Sequence, residues 1–312
     1  MARRPTPEAG LATVESVPPA RVTPAAAAHA VQRRLGLALR SRVAGDDAPE
    51  RAARIWGAEG ERWFTSEDPI WRVNQDAAMF PGGIAALLLQ SLHPSAMAGV
   101  AGHSGYKGDP WGRLQRTSHY LAVTTFGTIV DAEQAIAHVR SVHRRVRGTD
   151  ELGRAYAADD PHLLRWVHVA EIWSFLNAFQ AYGPGPLSAS EADLFVEQTN
   201  RAATRLGATD LPTTVQELDD VIAGYRPELE STSAAREATR FMLLNPPVPF
   251  AARPGYALIA AGGVALLPTW ARQALRLPVN RAGIAVASRA GGLSTTLVRW
   301  GMAGLREREP IT

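Results

Sequence analysis

From residue 51 onward, apolar positions recur at intervals of three and four. No stretch alternates apolar with polar over a convincing span, so the pattern predicts helices and no half-buried strand. Pro81-Gly82-Gly83 introduces residues 84–91 (IAALLLQS), which carry few polar groups on any side and suit a buried central helix. Asp109-Pro110 opens a helix over 111–126, with proline in the first turn, where its missing N–H costs nothing. Asp131 reads as the N-cap of a helix over 132–147, and Gly148 as its stop. Asp159-Asp160-Pro161 repeats the cap-and-proline signal before 162–182, which Gly183-Pro184-Gly185-Pro186 ends. Ser188 and Glu191 have capping-box spacing at the start of 188–206. Further helices are expected over 214–231 and 234–244. Residues 245–254 hold four prolines and predict an extended connection. An apolar Ala/Gly-rich helix, a short one over 268–277 and an amphipathic segment ending at Arg306 complete the chain.

This pattern divides the chain into a Pro- and Ala-rich mobile tail (1–24), a basic amphipathic helix (25–48), one large helical domain (51–277) and a C-terminal helical extension (278–312). The basic helix suits either a packing role or contact with a partner or a membrane surface. The fold class expected is all-α.

An apolar content of 46% over 312 residues fills a sizeable core. The 33 basic and 30 acidic residues leave a net charge of 33 − 30 = +3, spread along the chain, so no nucleic-acid partner is expected. The absence of cysteine removes disulfides, thiolate nucleophiles, iron–sulfur clusters and thiolate-ligated haem or zinc; any metal must be held by His or carboxylate. Residues 1–21 show no apolar leader region, and 256–268, the most hydrophobic stretch, is too short to span a bilayer. A soluble, cytoplasmic protein without stable membrane insertion is therefore expected.

Seven of the eight histidines fall between residues 90 and 168. On the helix expected over 132–147, Ile136, Val139, Arg140, His143 and Arg147 share a face. Two guanidiniums buried beside an imidazole need an anionic partner. A haem supplies one, with iron for the imidazole and propionates for the arginines; a solvated basic face accounts for the same spacing. Arg113, Thr117 and Tyr120 lie on one side of the helix over 111–126 and could line an oxygen-binding site. His168 and Glu171 share a face of a third helix and could form half of a carboxylate-bridged metal site, but no second Glu-x-x-His pair occurs. His93-Pro94 is expected to close a helix C-terminus through its imidazole. Walker loops, G-x-S-x-G elbows and H-E-x-x-H pairs are absent.

Several motifs occur in order along the chain. They are Gln90-Ser91-Leu92-His93-Pro94, Asp109-Pro110-Trp111-Gly112-Arg113-Leu114-x-x-Thr117, Phe126-Gly127, Val142-His143-x-x-Val146-Arg147-Gly148, Tyr156-x-Ala158-Asp159-Asp160-Pro161 and Trp166-Val167-His168. Over about 64–277 the chain thereby resembles the domain-of-unknown-function family 2236, the MpaB-type and rubber-oxygenase catalytic domains. The resemblance implies an all-helical haem-b oxygenase using dioxygen. His143 would be the axial ligand, Arg140 and Arg147 its flanking arginines, Arg113 and Thr117 the distal residues, and His168 a supporting one. Where the rubber-cleaving branch carries a lysine able to approach iron, this chain has Arg116, which cannot deprotonate. The expected substrate is therefore a small, largely apolar molecule, not rubber, with a C=C bond as a candidate point of attack and a redox partner compatible with the chemistry. A non-catalytic haem or gas carrier, a peroxidase-like or peroxygenase enzyme, and a non-haem site on His168 and Glu171 stay open as alternatives.

Overall fold

The computed structural model describes residues 23–306 apart from 104, 106 and 107; the tail expected over 1–24 lies almost wholly outside them. Fourteen α-helices are present among the described residues: α1 (Pro24–Ala44), α2 (Ala48–Gly57), α3 (Pro69–Asn74), α4 (Met79–Gln90), α5 (Pro94–His103), α6 (Pro110–Phe126), α7 (Ile129–His143), α8 (Pro161–Tyr182), α9 (Ala189–Leu206), α10 (Val215–Gly224), α11 (Ser233–Leu244), α12 (Arg253–Leu266), α13 (Thr269–Ala274) and α14 (Arg281–Arg306). Between α7 and α8 an antiparallel hairpin joins β1 (Arg147–Thr149) to β2 (Ala155–Ala157), pairing Gly148 with Tyr156. The protein is all-α apart from this hairpin.

Several ends follow the capping logic of the sequence. Asp109 accepts from the Gly112 N–H and Asp160 from the His162 N–H, and Ser188 with Glu191 forms the full capping box. Elsewhere the chain departs from expectation. Thr128, not Asp131, caps α7, because its hydroxyl accepts from the Asp131 N–H while Asp131 sits in the first turn. The helix stops at His143, and Gly148 belongs to β1, where any Cβ would run into the Tyr156 ring. The helix expected over 214–231 stops at Gly224 and gives way to a 3-10 turn at Arg226–Glu228 containing Pro227. Of the expected extended connection, only 245–249 is non-helical: a 3-10 turn follows at Phe250–Ala252, and Pro254 falls in the first turn of α12, where proline is tolerated.

The core forms around α8, which buries Trp166, Val169, Ala170, Ile172, Phe175, Leu176 and Phe179 among its residues. α4 lies along one side of it and α9 and α10 along others. Gln90 ties α4 to α8 at the polar edge of this contact: its amide donates to the Val167 carbonyl at 2.9 Å, and its own carbonyl accepts from the Trp166 indole at 3.3 Å. α12 packs against α4 and α14. Gly262 and Gly291 make that crossing close, since a Cβ on either would stand about 2.6–2.7 Å from the other's Cα. No single helix among the described residues is long and apolar enough to cross a membrane. α4 and α5 together reach the length, but they are bent by 108° and α4 lies in the core.

The β-hairpin is held to α5 by Asp150, whose carboxylate is fully buried. It accepts from Ser95 Oγ at 2.8 Å, Arg154 Nε at 2.9 Å, and the Leu152 and Arg154 amides at 2.9 and 3.0 Å. Burial alone would raise its pKa; these four donors outweigh burial and hold it below the usual carboxylate value. An acid depressed in the native state stabilises the fold above its unfolded pKa and loses that contribution as pH falls through the native one. Asp150→Asn should therefore cost roughly 2–3 kcal/mol at pH 7. Urea unfolding should show the gap between variant and wild type closing towards pH 3.

Candidate functional site

α6 and α7 form an antiparallel helical hairpin around Gly127-Thr128. Its turn is clamped by Arg62, which donates to the carbonyls of Phe126 and, at 2.9 Å, Ile55. The Ile129 amide also donates to the Glu61 carbonyl at 2.8 Å. This connectivity brings Arg113 and Thr117, near the start of α6, to the same level of the hairpin as Arg140 and His143, near the end of α7. The hairpin packs on α9 through α7, and on α1 and α3 through α6; neither of its helices lies along α8. Free space between hairpin and core, called the cleft below, is marked by Tyr120, His168 and Glu171, which are deeply enclosed by protein yet keep accessible surface.

His143 is half-buried, and its Nδ1 is sealed from solvent with no hydrogen-bond partner. Burial lowers its pKa, against a smaller upward pull from Asp159, so the ring is neutral at pH 7. Arg140 is exposed on the preceding turn. Arg147 does not continue the helical face as its spacing had suggested. Because α7 ends at His143, Arg147 falls in β1 and extends to Asp159, 3.1 Å away. Arg113 is half-buried, and the exposed Thr117 donates its hydroxyl back to the Arg113 carbonyl at 3.1 Å. Arg116 points outward to an exposed ion pair with Asp109 at 3.2 Å.

On the core side of the cleft stand His168 and Glu171. Both are enclosed by protein and dominated by desolvation, yet both keep accessible surface, as groups lining internal free space do. Burial raises the Glu171 carboxyl to about 7. Tyr120 of α6 is held well above the ordinary phenol value by burial and then by the Glu171 carboxylate, which places α6 and α8 within electrostatic reach across the gap. His168 turns away from Glu171. Its Nε2 meets Asn200 Oδ1 on α9 at 3.0 Å, while the Asn200 amide nitrogen donates to the Pro212 carbonyl at 2.6 Å. The second bond fixes the Asn200 orientation, so His168 carries its proton on Nε2. Burial lowers its pKa to about 4, only partly offset by Asn200, and the ring is neutral.

His168 and Glu171, paired by sequence spacing, thus serve different neighbours. Among the described residues no three His, Asp or Glu side chains converge on a point that could hold a metal. His93 also departs from expectation: it stands at the N-terminus of α5, where its Nδ1 accepts from the Ala96 N–H at 3.4 Å. Two polar partners, Asn200 and Asp159, escaped sequence reasoning. Asn200 lies 32 residues from His168, and nothing local marks it; Asp159 reads as half of a cap signal that Asp160 alone fulfils.

Two uncharacterized mycobacterial proteins, one from Mycobacterium tuberculosis and one from Mycobacterium bovis, are each 34% identical to this chain over 97 residues, 31% of this chain and 38% of their own length. The chain therefore covers well under half of these relatives. No solved structure matches. The family described as ER-bound oxygenase mpaB/B'/rubber oxygenase, catalytic domain, matches residues 71–300, a span that runs from α3 to α14 and contains every cleft residue described above. With most of its length covered by that match, the chain belongs to the mpaB/rubber oxygenase catalytic-domain family.

Proposed function

We propose that this protein is a haem-b-dependent oxygenase that holds iron through His143 and uses dioxygen to oxidise a small, largely apolar molecule. The observation that carries the proposal is the state of His143, a neutral imidazole with one ring nitrogen buried and unpartnered. A ligating imidazole must be neutral, and burial favours that form of this ring. Among the described residues no three metal-binding side chains converge, which is in keeping with iron that takes most of its donors from a macrocycle. With no cysteine in the chain, that macrocycle could be attached only non-covalently through the protein's nitrogen and oxygen ligands, which favours haem b.

Bound haem would supply the coordination and reduction of dioxygen. Arg140 and Arg147 would hold its propionates, with Asp159 positioning the Arg147 fork. Arg113 would stabilise negative charge developing in the cleft, and Thr117, tied to the Arg113 backbone, would offer its hydroxyl oxygen as an acceptor beside it. Glu171 would carry the proton traffic. A carboxyl titrating at about 7 gives up and regains a proton at Oε with little driving force in either direction. His168, kept neutral by burial, adds no charge that would pull the Glu171 value down. A redox partner would deliver electrons if one oxygen atom leaves as water.

His143→Ala should abolish stoichiometric haem retention, read from the Soret band and pyridine haemochrome of the purified protein; a variant keeping the native spectrum would remove the iron assignment. Haem-loaded protein that turns over apolar alkenes with peroxide but not with dioxygen would replace the oxygenase reading with a peroxygenase one.

Glu171→Gln should keep the haem spectrum and slow turnover at least tenfold, flattening the pH–rate profile around pH 7. The same substitution tests the electrostatics without turnover. An acid whose native pKa is raised costs the fold stability as pH climbs from its unfolded value through the native one. The variant should equal wild type near pH 4 and exceed it by roughly 1–2 kcal/mol at pH 8 in urea unfolding, a figure discounted for the solvent that reaches the carboxyl.

A further inference from the structure

α14 buries mainly small residues. The face it buries is mostly small and polar: Gly291, Ser294 and Thr295 are buried along with Val298, and Gly301 is buried against α1, with the Ser294 and Thr295 hydroxyls satisfied by the Gly291 carbonyl at 2.8 and 2.9 Å. Four of its large apolar residues face outward. Val286, Leu293 and Trp300 recur every seven residues, and Leu297 stands one turn from Leu293. They are 65%, 54%, 41% and 44% exposed in that order, with Arg289 exposed in the same stripe. A helix that only closed the fold would bury the opposite side.

α1 lies antiparallel beside the C-terminal half of α14. Gly36 touches the Gly301 carbonyl region, and the Gln32 amide donates to the Trp300 carbonyl at 2.8 Å. It adds the exposed side chains Val31 and Leu37. Each of the two helices carries four arginines, and neither contains an Asp or Glu, although the whole chain has 30 acidic residues. Of the eight, Arg299 is spent on Asp76.

We propose that the α1–α14 pair docks on an anionic lipid bilayer surface. In this pose the Val286–Leu293–Leu297–Trp300 stripe enters the headgroup boundary, and the arginines contact lipid phosphates and carboxylates. Apolar side chains with a tryptophan, flanked by arginines and lacking carboxylates, form the composition that lies in a membrane interface. A second copy is a poor occupant of this face, because a twofold contact would bring arginine-rich helices together with no carboxylate to answer them. The chain's own residues 1–22 offer no periodic apolar face to match the stripe and carry Glu8 and Glu15 along with arginines. The pairing of docking surface and apolar substrate is independent of the haem assignment: membrane binding stands or falls by itself.

Flotation of the full-length protein with phosphatidylcholine vesicles, with and without about 30 mol% phosphatidylserine, tests this. Binding is expected to the anionic vesicles, to weaken steeply as salt is raised, and to fall at least tenfold in Leu293→Asp/Leu297→Asp. Both positions are exposed, so an unchanged thermal transition should accompany the loss. Arg33→Glu/Arg34→Glu, which leaves the stripe intact, should weaken binding to anionic vesicles alone. No binding to the anionic vesicles at low salt, binding unaffected by both double variants, or a dimer in sedimentation analysis that the Leu293/Leu297 variant dissolves would each overturn the proposal.

Discussion

α8 buries more than half of its residues, and covering them is the constraint from which the rest of the architecture follows. A 22-residue helix with Trp166, Phe175 and Phe179 on different sides must be covered from several directions, and α4, α9 and α10 supply that cover. Trp166 is fully buried, and its indole N–H would be costly unpaired; the Gln90 carbonyl meets it while the Gln90 side chain returns to the α8 backbone. One residue at the end of α4 thus satisfies both polar edges of the central contact.

The same burial creates the electrostatics of the cleft. His168 and Glu171 ride on α8 into a region of low polarity, where both favour their neutral forms: the imidazole falls to about 4 and the carboxyl rises to about 7. Their difference in role comes from their neighbours. Asn200, itself held by the Pro212 carbonyl, gives His168 one tautomer, whereas Glu171 lies within electrostatic reach of the Tyr120 phenol across the gap. A helical hairpin docked through α9 and α3, and not along α8, keeps that gap open, with His143 and Arg113 at one level of its far wall. Site and scaffold are therefore coupled: the packing that leaves α8 uncovered on this side is the packing that makes room for a ligand.

At the other edge of the molecule α14 obeys a different rule. Its contact with α12 is a close backbone crossing through Gly262 and Gly291, which needs small residues and leaves no room for large ones. The leucines and Trp300 are consequently displaced to the outer face, where a tightly packed interior cannot use them.

Most helix positions, the capping box at Ser188 and the largely buried nature of residues 84–91 were legible in the sequence, because periodicity and caps act over a few positions along the chain. The ordered motifs from Gln90 to His168 carried the family as well. The end of α7 was not legible: a helix through Arg147 satisfies local spacing, and only the pairing of Gly148 with Tyr156 in the hairpin, and of Arg147 with Asp159, removes it. His168 and Glu171 likewise look like partners at three-residue spacing, yet α9 claims one and α6 the other. Short-range rules decide which segments become helices. Which side chains meet depends on how those helices are docked, and the proton affinities of the cleft follow from that docking, since desolvation and hydrogen bonding are set by neighbours tens of residues away in the chain.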